Sequence, residues 1–181
     1  MTNEKSIPNA EIIQDAGIIV GWVFWKKSFD QFGWLQDGKF YTKGGMHTGT
    51  LAANWLTRLG AYYIDSISPF AIMICDLLND EPTYLSDSEL ETHMGGETLT
   101  TAIEDYYSNL MSMWPIVAID QMTEFKELFI QREGVITFTI YGWNIAVVKE
   151  PYDALMTKNP IPWPLTAIQF SWTSTTLDIE W

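Results

Sequence analysis

Two histidines and one cysteine are all that the chain offers in the way of soft or switchable metal ligands: His47, His93 and Cys75. Glu91 and Glu97 lie close to His93 and could complete a mixed histidine–carboxylate site, but the spacing matches no zinc signature. Gly95-Gly96 beside them marks a loop, and a solvated polar loop is the expectation there. His47 sits in GGMHTGT. Glycines ahead of a helix can cradle a phosphate through backbone N–H groups. The phosphate-binding lysine, its spacing and the dinucleotide-binding glycine pattern are missing here, so a glycine turn feeding a helix is expected. Cys75 ends the apolar run Ala71-Ile72-Met73-Ile74-Cys75, a poor place to stabilise a thiolate. No G-x-S-x-G elbow is present. Paired carboxylates such as Asp80-Glu81 and Glu104-Asp105 could supply acid–base chemistry. With 23 acidic residues, however, such pairs arise by chance and none stands out. The chemistry therefore points to a protein that is not an enzyme, with no cofactor and no metal.

Charge is distributed far less evenly than reactivity. The formal net charge is −13. Between Arg58 and Lys126 there is no Lys or Arg, yet that interval holds Asp65, Asp76, Asp80, Glu81, Asp87, Glu89, Glu91, Glu97, Glu104, Asp105, Asp120 and Glu124. The rest of the chain is nearly neutral. A run of one sign is often only a solvated face. Like charges repel, though, and a sequence shaped for solubility alone intersperses both signs. A basic partner would supply the missing counter-charge, raising association rate and specificity. Tyr84, Tyr106, Tyr107 and Trp114 share the segment and could anchor such an interface. The expected partner-binding residues are Asp76, Asp80, Glu81, Tyr84, Asp87, Glu89, Glu91, Glu97, Glu104, Asp105 and Tyr107. Reversing Asp87, Glu89 and Glu91 to Lys should then slow association.

The totals set further bounds. A chain of 181 residues can bury one sizeable core and is short for two. Hydrophobic residues make up 47% and charged residues 18%, which excludes a disordered chain. Nine tryptophans serve a core first, with Trp22, Trp25, Trp143 and Trp172 as candidate linings of any pocket. The acidic balance excludes direct binding of nucleic acid or anionic membrane. One cysteine permits no internal disulfide, and the apolar run at residues 16–25 has acids before it and Lys26-Lys27 after it, the reverse of an export signal. A soluble, cytoplasmic protein is expected.

The elements that must carry these residues suggest one α+β domain over residues 1–181, with helices packed on one face of a mostly antiparallel, hairpin-rich sheet. Residues 1–15 are expected to be a polar lead-in. IIVGWVFW at 18–25 suits a strand buried on both faces. A helix from Thr48 or Thr50 to about Asp65 would bury Leu51, Trp55, Leu59 and Tyr62. Pro69 should open a second helix reaching about Asn79. Ser86 and Glu89 have capping-box spacing within an acidic loop at 80–97. A third helix covers 98–113, with Leu99, Ile103, Tyr106, Leu110 and Trp114 on one face and Pro115 ending it. Residues 126–132 and 134–148 are expected to form a hairpin turning at Glu133-Gly134, with Gly142 a bulge or second turn. Pro160, Pro162 and Pro164 flank Trp163 in an extended connector. TAIQFSW and TTLDIEW should form a last hairpin around Thr173-Ser174, with Leu177 and Ile179 inward and Thr176, Asp178 and Glu180 outward.

In type, a small acidic binding protein with an aromatic-bearing face resembles the immunity proteins of bacterial toxin systems. That resemblance implies an inhibitor that masks the basic site of a cognate toxin, a nuclease for example, in a toxin–antitoxin or secretion system. The alternatives are a phage-type DNA mimic using the same acidic surface, and a small-ligand binder or enzyme with an aromatic-lined pocket.

Overall fold

A computed structural model describes residues 10–113, 122–158 and 163–181. It is an α+β fold built on a five-stranded sheet with a helical layer against one face. The chain enters through strand β1 (Ala10–Ile13) and a 3₁₀ turn (Ala16–Gly21), then helix α1 (Trp22–Gln31). Two small hairpins follow, β2 (Leu35–Gln36) with β3 (Lys39–Phe40) and β4 (Thr42–Lys43) with β5 (Met46–His47). Then come helices α2 (Thr48–Gly60), α3 (Pro69–Ile74), α4 (Asp87–Glu91) and α5 (Leu99–Met113). A short helix α6 (Met122–Phe125) runs into a π-turn (Lys126–Ile130). Strands β6 (Gly134–Thr139) and β7 (Gly142–Val147), helix α7 (Ala154–Lys158), and strands β8 (Ala167–Ile168) and β9 (Thr176–Glu180) complete the order.

The sheet order is β1-β6-β7-β9-β8. β1, β6 and β7 pair antiparallel, and so do β8 and β9, as the final hairpin required. The β7–β9 pair is parallel, a departure from the antiparallel expectation: the segment between them crosses over instead of folding back. Leu177 and Ile179 are buried while Asp178 and Glu180 are exposed, so the alternation in the last strand holds. On the outer face the Asn144 amide donates to Glu180 at 2.9 Å.

Four expectations are corrected. Residues 16–31 are helical, not a strand: Trp22, Trp25 and Phe29 recur at helical spacing, and Lys26–Asp30 forms an i,i+4 ion pair at 2.6 Å on the opposite face. The segment before Asp15 is not only a lead-in, because β1 forms a sheet edge and Ile13 is buried. The hairpin turns at Ile140-Tyr141 rather than at Glu133-Gly134, and residues 126–130 are a π-turn that buries Phe129 and Ile130. Gly142, which opens β7 directly after the Ile140-Tyr141 turn, has a φ of 134°, as a turn or bulge glycine can. Finally, α2 stops at Gly60, where Ala61 adopts a left-handed conformation, so Tyr62 leaves the buried face. Neither Thr48 nor Thr50 caps α2. Its N-cap is His47, with Thr48 Oγ1 accepting from the Tyr41 N–H at 3.0 Å.

Other elements form where expected. Ser68 caps α3 with Pro69 at its first position, although the helix ends at Ile74. The Ser86–Glu89 capping box is present at α4. α5 buries Leu99, Tyr106 and Leu110 with Ile103 half-buried; Trp114, Pro115, Asp120, Pro160 and Pro162 lie outside the described residues. One hydrophobic cluster runs from Ile13 to Ile179. Four of its tryptophans have hydrogen-bond partners: Trp25 donates to Tyr106, Trp34 to the His93 carbonyl, Trp163 to the Val20 carbonyl and Trp172 to the Ile74 carbonyl.

Candidate acidic interface

The acidic segment is assembled around α2 through the buried Asn54 and the half-buried Arg58. The Arg58 guanidinium donates to Asp87 at 3.1 Å, to Asn54 Oδ1 at 3.0 Å and to the Leu85 carbonyl, and lies 4.5 Å from the centre of the Tyr84 ring. Asn54 also accepts from the Leu85 N–H at 2.9 Å and donates to the Thr83 carbonyl at 3.0 Å. These bonds fix residues 83–87 against α2 without regular secondary structure of their own. The segment's other bounding cation folds back as well. Lys126 sits 4.5 Å from the Tyr107 ring centre. Burial lowers its pKa, and Glu104 offsets part of that.

Several predicted interface carboxylates turn out to hold the fold. Glu89 closes the capping box on Ser86, and those hydrogen bonds lower its pKa. Glu91 accepts from the Leu99 N–H at 2.7 Å and so satisfies the start of α5. Glu97 accepts from Gln31 at 3.0 Å, tying the loop to α1. Asp87 is paired with Arg58 while remaining largely exposed. Tyr84 is half-buried, and its hydroxyl donates to the Ile64 carbonyl. Tyr107 is 0% exposed, its hydroxyl donating to the Leu59 carbonyl, so it braces α5 on α2 and presents nothing at the surface. Asp76, Asp80, Glu81, Glu104 and Asp105 carry exposed side chains. Among the described residues, no ion pair neutralises Asp65, Asp76, Asp80 or Asp105.

Cys75 is buried, and burial holds its thiol well above the usual range. Among the described residues no group of His, Cys, Asp and Glu could hold a metal ion. A groove of about 230 Å³ lies between α1 and α5, with Lys27, Gln31, Glu97, Asp105 and Asn109 at its rim and Phe24 and Tyr106 in its walls. None of Trp22, Trp25, Trp143 and Trp172 lines it. No described helix is long and apolar enough to cross a membrane.

Two features were hidden from sequence reasoning. Tyr62 and Ile64 are 51% and 77% exposed, in the loop that links α2 to α3 inside the acidic segment. The early end of α2 puts them there, and the turn at Ala61 has no glycine to announce it. Asp15 is 0% exposed, and neither carboxylate oxygen has a hydrogen-bond partner. It packs against Gly60 at the C-terminal end of α2, where the helix dipole disfavours negative charge. Burial pushes its carboxyl up to about 6; the Ser68 hydroxyl lies close enough to offset part of the rise without reaching hydrogen-bond geometry.

Fold and surface together define an α+β protein whose acidic face is built on a tryptophan-rich core. The chain belongs to the contractile injection system tape measure protein family, whose model matches residues 2–181. Neither the curated proteins nor the solved structures gave a match to the chain.

Proposed function

We propose that the chain is a non-catalytic docking component of a contractile injection system, and that its acidic face engages a basic surface of another component of that system. The observation that supports this reading most is the set of exposed carboxylates at Asp76, Asp80, Glu104 and Asp105, in a segment without Lys or Arg of its own. Cys75 and the buried tryptophans are held in the core. A partner's lysines and arginines would complete the electrostatics and accelerate encounter.

Length measurement needs an extended span. The longest described helix, Leu99–Met113, has 15 residues and would reach about 22 Å at 1.5 Å per residue. The described residues therefore suit a folded body that docks rather than the span itself. An immunity protein's masking of a toxin would use the same face. Family membership favours a partner within the injection apparatus, and a basic cargo domain is the form in which the inhibitor reading survives.

The test is binding of the full chain to each purified component of the cognate injection system, by biosensor, at low and high salt. The proposal expects at least one component to bind, with affinity falling steeply as salt rises. Binding by none of them, or binding indifferent to salt, would remove the electrostatic docking role.

A further inference from the structure

Most of the described acidic surface is polar, but one loop within it is not. Between α2 and α3 the chain reads Ala61-Tyr62-Tyr63-Ile64-Asp65-Ser66. Tyr62 and Ile64 face solvent, with the Tyr62 ring edge-on to Tyr63 at 5.3 Å. Such a loop would ordinarily cost binding energy through its ordering. Here it is held from two sides. The Tyr84 hydroxyl donates to the Ile64 carbonyl, and Gln131 Nε2 donates to the Ala61 carbonyl at 3.2 Å. Tyr84 is in turn covered by Arg58, which is bonded to Asp87 and the Leu85 carbonyl. The backbone that carries Tyr62 and Ile64 is thus pinned at Ala61 and Ile64, with Asp65 next in sequence and Asp87 linked through Tyr84 and Arg58.

That arrangement has the anatomy of an interface core with a charged rim. Apolar and aromatic anchors that become fully desolvated carry most of the binding energy, and flanking charges set rate and partner choice. We infer that Tyr62 and Ile64 are the anchors by which the acidic face grips its partner, and that the partner is a protein presenting an apolar pocket bordered by Lys or Arg. The occupant is argued from charge. A second copy of this chain, itself of net charge −13, would be repelled, and so would anionic lipid. This inference rests on the docking role proposed above and names the side chains that perform it.

The test uses the full chain and whichever purified component of the cognate system binds it. Tyr62→Ala and Ile64→Ala are each expected to weaken binding tenfold or more through faster dissociation, with the salt dependence unchanged. Asp65→Asn should instead slow association and flatten the salt dependence, leaving dissociation nearly as it was. Circular dichroism and melting temperature close to wild type would show that these exposed substitutions act on binding alone. If the component binds wild type but both anchor variants stay within twofold, the anchors lie elsewhere while the docking role stands. If no component binds the wild-type chain, the docking role and this inference fall together. Self-association in sedimentation that Ile64→Ala abolishes would overturn the choice of occupant.

Discussion

Asp15 stores an electrostatic cost at the junction of the first strand and the helical layer. Tyr63 and Tyr107 feel its charge, and both have raised pKa values for which burial is the first cause. Because the folded state raises the Asp15 carboxyl from 3.8 to about 6, it holds the proton more tightly than the unfolded chain does. The stabilisation this confers is complete below pH 3.8 and is lost as pH rises through 6, at most about 3 kcal/mol. Asp15→Asn should therefore raise stability at pH 7.5 and flatten the loss between pH 4 and 6. Urea titrations across that range measure it; an Asn variant with the same pH slope as wild type would assign the slope to other groups. Arg132 is the converse case. It is buried, makes a bidentate pair with Asp153 at 2.7 and 3.0 Å, and donates to the Val148 and Leu128 carbonyls. The Asp153 carboxyl loses solvation, but bonds from Arg132 and the Glu150 N–H outweigh that and lower its pKa. Arg132→Met should cost about 3–5 kcal/mol in equilibrium unfolding, since it strands a partly buried carboxylate. Little of this was legible beforehand. Arg132 and Asp153 are 21 residues apart, and nothing in either neighbourhood advertises the other.

At the scale of elements, local signals served well where a cap or a clean alternation was present. Ser86, Glu89, Pro69 and the Leu177–Ile179 alternation each act within one turn or one strand, so their meaning needs no tertiary context. Ser86→Ala should remove the α4 cap and cost about 1 kcal/mol, read from the unfolding midpoint. The run at 18–25 misled because an apolar helix start and a buried strand have the same composition, and only the later recurrence to Phe29 separates them. The parallel β7–β9 pair was hidden for a related reason: strand alternation records which face is buried and says nothing of direction. Gly142 ties both strands together. Its φ is +134°, and a Cβ there would lie 2.5 Å from the Thr176 carbonyl oxygen across the pair. Gly142→Ala should lose about 1–3 kcal/mol from backbone conformation alone, with more from the clash. Hydrogen exchange should place that loss in β6, β7 and β9.

For the whole molecule, folding redistributes the charge pattern of the sequence. The interval without Lys or Arg is real, but the fold bends Arg58 onto Asp87 and brings Lys126 near Glu104, so the segment is partly neutralised at its ends. Glu89, Glu91 and Glu97 each have a hydrogen-bonding duty, and reversing them would loosen α4, the start of α5 and the tie to α1. Linear charge counting could not separate such carboxylates from the rest, because their duties are set by groups brought near by folding. Asp76, Asp80, Glu104 and Asp105 are the exposed carboxylates on which the proposed docking rests. The most direct test is the association rate of the full chain with its binding component, measured across ionic strength for wild type and for a variant with Asp76, Asp80 and Asp105 changed to Asn and Glu104 to Gln. Electrostatic docking predicts an on-rate at least tenfold lower for the variant at low salt, with the two proteins converging at high salt. Equal on-rates at every salt concentration would contradict it.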